Sequence, residues 1–365
     1  MNDDQNIEDD MKLSDEPSAH EAMDCKRAFT RMRVPAPDVD DAWQKFSADT
    51  DTQPKMKKFK SKRSLFIGFV TGVAASVVIF FGIYQMFIAS LLPQPVQVFN
   101  AEESGSDVLL SYSSGQSYNL SNANTAATGA LLTQGVKANK DSLVYMQAKS
   151  NVQPKLLTVS TPRGKDYHIV LPDGTNVWLN ADTKLVFPEH FSGARREVQL
   201  DGEAYFEVTE DKEHPFVVNN KLFATIVLGT KFNMKTYNQD DANVVLIEGR
   251  VQVESTKTGA TQTILPGQKA HLTPAGQFDV QQVDTYAFVQ WKEGYFYFND
   301  APLVEIMREL GRWYNVDIII ENSRMMYTRL HFVAERGQGI AEALQNLNAI
   351  DDVHAVIKNN TVVVK

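Results

Sequence analysis

Hydrophobic positions along this chain follow three different patterns. From Ser64 to Leu92 (SLFIGFVTGVAASVVIFFGIYQMFIASLL) they are almost continuous, and no Asp, Glu, Lys or Arg interrupts them. From Thr161 to Leu272 they alternate with polar residues in short runs parted by turn residues. From Trp291 to Lys365 short alternating runs are interleaved with segments whose apolar residues recur at i, i+3, i+4 and i+7.

The first pattern predicts a membrane-spanning helix over 64–92. A hydrocarbon core needs about 20 apolar residues in a helix, and this run exceeds that. It is too long for a signal-peptide core, starts too far from the N-terminus and ends without a small-x-small site. Lys55, Lys57, Lys58, Lys60, Lys62 and Arg63 crowd its N-terminal flank, whereas no Lys or Arg follows Leu92 until Lys137. The positive-inside rule therefore places residues 1–63 in the cytoplasm and everything after the span outside it.

The second pattern predicts about ten short strands, an all-β domain built as a sandwich, a barrel or a coil of strands. They include Tyr167–Leu171, Asn176–Leu179, Phe216–Asn219, Ala224–Leu228, Phe232–Tyr237 and Asn243–Ile247. Pro172-Asp173-Gly174 supplies one connecting turn. The third pattern predicts a small α+β domain of order βαββαββ, with helices packed on one sheet. Asp300 is the expected cap of its first helix, with Leu303, Ile306, Met307 and Leu310 inward; Gly339 opens the second. Between span and β domain, 93–155 reads as a spacer with some β structure, including a hairpin at Asp107–Leu120. The expected layout is a cytoplasmic α region over 1–63, the span over 64–92, the spacer over 93–155, the all-β domain over 156–275 and the α+β domain over 290–365.

In the N-terminal region an acidic start gives way to two short amphipathic stretches. Val39, Ala42, Trp43 and Phe46 form one apolar face. Such a face docks onto a partner, or packs on its neighbour or on the membrane surface; spacing alone does not choose.

Composition narrows the function. The chain has 365 residues, a formal charge of -9 and one cysteine, Cys25. The exported part needs no disulfide, and an acidic chain with one juxtamembrane basic cluster lacks the footprint of a nucleic-acid binder. His168, His190, His214 and His271 show no metal-ligand spacing, and Gly337-Gln338-Gly339 lacks the third glycine of a dinucleotide loop. No cofactor, metal site or turnover chemistry is expected. One bond has chemical potential. At Gly229-Thr230 the Thr hydroxyl could attack the preceding carbonyl in an N–O acyl shift and divide the chain, although a plain turn is the simpler reading.

Several stretches closely resemble the FecR family of transmembrane anti-sigma factors: Tyr167–Val218 (YHIVLPDGTNVWLNADTKLVFPEHFSGARREVQLDGEAYFEVTEDKEHPFVV), Val227–Tyr237 (VLGTKFNMKTY), Leu246–Val253 (LIEGRVQV) and Leu265–Ala270 (LPGQKA). Trp291–Ile318 (WKEGYFYFNDAPLVEIMRELGRWYNVDI) resembles the domain that follows, which is similar to the short N-terminal domain of secretins and TonB-dependent receptors. The resemblance implies an inner-membrane regulator with three kinds of partner. They are an extracytoplasmic-function sigma factor in the cytoplasm, the signalling domain of a TonB-dependent outer-membrane receptor in the periplasm, and intramembrane or site proteases. It assigns sigma binding to the face of Val39, Ala42, Trp43 and Phe46, and self-cleavage to Gly229-Thr230. The usual longer helical domain before Asp38 is not evident. The alternative is a membrane-anchored periplasmic glycan-binding module.

Overall fold

The computed structural model describes residues 40, 43–45, 47, 76–87, 94–121, 135–139, 142–145, 154–350 and 353–365. Most of them belong to two facing nine-stranded sheets and a smaller α+β domain.

The first sheet runs, in spatial order, Thr261–Ile264, Val251–Ser255, Phe223–Val227, Phe216–Asn219, Arg196–Asp201, Thr183–Pro188, Leu156–Thr161, Leu109–Tyr112 and Ser117–Asn119. The second runs Phe278–Gln282, Gln268–Leu272, Asn243–Glu248, Lys231–Lys235, Glu203–Glu207, Asn176–Leu179, Tyr167–Val170, Ser142–Tyr145 and Val136–Ala138. The chain passes back and forth between the sheets while advancing along both in the same direction. Of the expected sandwich, barrel or coil, the result is a sandwich laid down as a flattened coil.

Strand direction follows from that path. Where the chain spends two strands in the opposite sheet, it returns antiparallel, as Glu203–Glu207 does beside Asn176–Leu179. Where it spends only one, it returns parallel. This happens at Ser142–Tyr145 with Tyr167–Val170, and at Arg196–Asp201 with Phe216–Asn219. Inward residues alternate with outward ones, as in Arg196–Asp201, so each strand buries one face. The shared core is aromatic at its centre: Phe206 stacks on Phe232 at 4.9 Å and tilts against Phe216 at 6.2 Å.

Residues 94–155 do more than space. Leu109–Tyr112 and Ser117–Asn119 form the expected hairpin, with Gly115 at φ 92°, and extend the first sheet. Val136–Ala138 and Ser142–Tyr145 extend the second. Thr183–Pro188 and Leu156–Thr161, not anticipated as strands, pair centrally in the first sheet.

The C-terminal domain follows the order strand, helix, strand, strand, helix, strand, strand. Its helices are α1 (Leu303–Tyr314) and α2 (Ile340–Asn348). The expectation of a single sheet needs correction. Tyr295–Pro302 pairs only with Arg329–Glu335, while Asp317–Ile320, Thr361–Val364 and Ala355–Lys358 form a second sheet completed by Val96–Phe99. Asp300 does not cap α1: it sits at φ 53° where the ladder shifts register between Phe298 and Ala301, and the strand runs on to Pro302, which holds the cap position. The expected faces are otherwise inward. Leu303, Ile306, Met307 and Leu310 of α1 join Ala343, Leu344 and Leu347 of α2 over Ile318, Ile320, Val362 and Val364. Asn359 and Asn360, at φ 46° and 64°, make the closing turn of the last hairpin.

Residues 76–87 of the apolar run are helical. Among the described residues no helix is both long and apolar enough to cross a membrane.

Candidate functional site

Trp43 is described, helical and exposed. Val39, Ala42 and Phe46 lie outside the described residues. Gly229 and Thr230 form the link between Phe223–Val227 and Lys231–Lys235. This link is tightly built: a Cβ on Gly229 would lie 2.8 Å from Glu210 Cα, and one on Gly249 would lie 2.9 Å from the Gly229 carbonyl oxygen. Thr230 is buried, and its hydroxyl donates to the Arg250 carbonyl at 3.0 Å. The four histidines do not converge; among the described residues no group of three metal-ligating side chains could hold an ion.

The chemically dense region lies elsewhere, at the junction between the sandwich and the C-terminal domain. Glu309, on α1, is buried and receives four partners. Arg312 Nη1 donates to its Oε2 at 2.7 Å, Arg336 Nη2 to Oε1 at 3.0 Å and Asn180 Nδ2 to Oε1 at 3.1 Å, and Lys235 Nζ lies 3.6 Å from Oε2. Asn180 and Lys235 belong to the sandwich; Arg312 and Arg336 belong to the C-terminal domain. Asn180 also donates to Glu203 Oε2 at 2.9 Å and accepts from Arg336 Nη1 at 2.7 Å. Glu203 accepts from Asn233 at 2.9 Å, and Asn233 in turn accepts from the Trp291 indole at 3.1 Å.

Burial would raise the Glu309 pKa, but Lys235, Arg312 and Arg336 outweigh it and hold the carboxyl at about 2. Burial likewise pulls Lys235 down, and the carboxylates of Glu203 and Glu309 reverse it, so its ammonium stays charged. Aromatic rings complete the enclosure. Arg312 lies 3.5 Å over the Tyr237 ring, and Arg336 lies among Trp313 at 4.5 Å, Phe296 at 5.0 Å and Trp291 at 5.8 Å. Beside this cluster opens a cleft of about 470 Å³ lined by Lys235, Trp291, Tyr297 and Glu305.

A second contact set ties in the segment that follows the apolar run. Phe99 seats on α1 at Gly311, where a Cβ would lie 2.7 Å from its ring. Arg163, from a sandwich turn, lies 4.8 Å over the same ring. Its Nη1 donates to Asn100 O at 3.0 Å and to Asn315 Oδ1 at 2.8 Å, and its Nε donates to Asp182 at 3.3 Å. None of these partnerships was visible in the sequence. The available signal was a Glu-Arg pair at i, i+3 beside the apolar face of α1, which reads equally well as a solvated ion pair.

The arrangement is that of a two-part body, with paired sheets joined to an α+β domain through buried charge. The comparisons agree with it. Residues 157–252 match the family model described as FecR protein, and residues 295–364 match the model described as FecR, C-terminal. Two crystal structures of a candidate anti-sigma factor from Parabacteroides distasonis ATCC 8503, at 1.65 and 2.50 Å resolution, are similar to this chain. Each is 26% identical with a TM-score of 0.52, and each match covers 57% of this chain and 98% of that one. No curated protein matches. FecR-family domains therefore make up residues 157–252 and 295–364 of the chain.

Glu309→Gln leaves three buried cations without their shared anion and should destabilise residues 94–365 by about 3–5 kcal/mol, measured by urea unfolding. Because the folded-state pKa is depressed, the Glu309 contribution is complete above the ordinary carboxyl range and is lost as pH falls toward about 2. Wild type should therefore lose stability over that acid interval more steeply than E309Q.

Proposed function

We propose that this chain is a single-pass inner-membrane anti-sigma factor. Its N-terminal region holds an extracytoplasmic-function sigma factor in the cytoplasm, and its 94–365 body senses, in the periplasm, the signalling domain of a TonB-dependent outer-membrane receptor. The observation that carries this reading is the pairing of both FecR domains on one chain, together with the similarity over 57% of the chain to a candidate anti-sigma factor. The helical residues 76–87 support the membrane assignment: Val78, Ile79, Phe80, Ile83 and Met86 are exposed on every side, as expected of a helix meant for hydrocarbon. The basic flank before Ser64 supports the orientation.

Trp43 is the expected anchor for sigma, since a buried Trp contributes more to an interface than any rim charge. A sigma factor should co-purify with the full-length protein from its own host, and Trp43→Ala should lower the yield at least tenfold; equal yields would reject Trp43 as the anchor. Orientation is checked with the native thiol. Cys25 should resist a membrane-impermeant maleimide in intact spheroplasts and react after lysis; labelling before lysis would overturn the topology.

Within this reading Gly229-Thr230 is the candidate cleavage point. Thr230 Oγ1 would leave the Arg250 carbonyl and bond to the Gly229 carbonyl carbon. The Gly229–Thr230 C–N bond would then break, with the hydroxyl proton passing to the amine, and water would hydrolyse the ester. Mass spectrometry of the full-length protein should find a fragment beginning at Thr230 in wild type and none in Thr230→Ala. An intact chain in both rejects the step.

A further inference from the structure

The sheet edge at Asp317–Ile320 is covered by a strand from far away in the sequence. Val96–Phe99 lies antiparallel on it, with Gln97 opposite Ile319. The pairing is slight: four residues, bonded among the described residues on one side, with a register shift between Gln97 and Phe99. Asp317–Ile320, by contrast, is also paired along its full length with Thr361–Val364. The seat is nevertheless specific. The Phe99 ring occupies the space that a side chain at position 311 would fill. Beyond it Ala101 N–H donates to Asp317 Oδ1 at 2.8 Å, Glu102 N–H to Asn315 Oδ1 at 3.2 Å, and Asn315 Nδ2 to the Glu102 carbonyl at 2.9 Å.

The position of this strand in the chain gives the seat its meaning. Three residues separate Leu92, the end of the apolar run, from Val96, four Cα steps and a reach of about 14 Å. Two of the intervening residues, Pro93 and Pro95, have a fixed φ, so the connection is stiff as well as short. The floor of the seat is α1, the helix that carries Glu309 and Arg312 into the sandwich. The Arg312 guanidinium lies over Tyr237 of the sandwich at 3.5 Å and over Phe99 at 5.9 Å. A movement of α1 against the sandwich therefore alters the seat of the strand.

We propose that Val96–Phe99 is a releasable latch, an inference that rests on the anti-sigma reading above. Seated, it holds the N-terminal part of the chain in the state that retains sigma. Displaced from the Asp317–Ile320 edge, it passes the state of the C-terminal domain through Pro93-Gln94-Pro95 to the apolar run and frees sigma. Release gives up one four-residue edge ladder, the Phe99 seat and the hydrogen bonds at Ala101 and Glu102, while Asp317–Ile320 keeps its full pairing with Thr361–Val364, so the segment can open without unfolding the sheet.

The test uses the full-length protein in lipid nanodiscs, purified with the sigma factor it retains. Hydrogen–deuterium exchange should show amides of 96–102 exchanging at least tenfold faster than those of 317–320 in wild type. Phe99→Ala should increase that rate at least a further tenfold, leave the 216–227 strands unchanged and cut retained sigma several-fold. A disulfide between Gln97→Cys and Ile319→Cys, in a Cys25→Ser background, should restore both readouts to Phe99→Ala when oxidised and lose them on reduction. Amides of 96–102 that exchange as slowly as those of 317–320 overturn the latch. So does a Phe99→Ala protein whose strand is open while its sigma content is unchanged. Absence of sigma from wild type overturns the anti-sigma reading itself, and the exchange measurement still reports whether the strand opens.

Discussion

The body of this protein depends on one buried carboxylate. Glu309 sits where two domains meet, and its neighbours come from both: Asn180 and Lys235 from the sandwich, Arg312 and Arg336 from the C-terminal domain. Removing a carboxylate from water is costly, and an apolar contact of the same size would be at least as stable. What charge adds is direction. Short hydrogen bonds and planar guanidinium groups fix the angle between the domains in a way that an apolar patch does not.

The polar cluster is also protected. Trp291, Phe296, Trp313 and Tyr237 surround the two guanidinium groups, and Trp291 donates to Asn233 at the far side. Low local polarity strengthens each ion contact and penalises any arrangement that leaves one charge unmatched. The junction is therefore held in one geometry or opened as a whole. Arg163 repeats the device on a smaller scale, joining Asp182 of the sandwich, Asn315 at the C-terminal cap of α1 and the backbone at Asn100.

Much of the fold was legible because it is governed by local period. Alternation placed Asn176–Leu179 and Phe216–Asn219 with the bounds observed, and helical spacing identified the inward face of α1. What escaped was decided by distant partners. Asp300 looked like a helix cap, but a strand continuing to Pro302 shifted the helix start. Val96–Phe99 is too short to announce itself and acquires meaning only beside Asp317–Ile320. The junction was hidden for the same reason: Glu309, Lys235 and Asn180 are ordinary polar residues until folding brings them together. Gly229-Thr230 stood out through local chemistry, yet it does not lie at the junction.

The two sheets never close on themselves. Among the described residues they begin at Ser117–Asn119 and Val136–Ala138 and stop at Thr261–Ile264 and Phe278–Gln282, with no strand paired beyond them. A stack of this kind invites copies to add end to end into a filament. The terminal strands carry Thr261, Gln262 and Thr263 on one sheet and Asp279, Gln281 and Gln282 on the other, polar side chains that make a poor template for a neighbour. Resistance to end-to-end association is thus written into the outermost rungs, well away from the buried junction at Glu309.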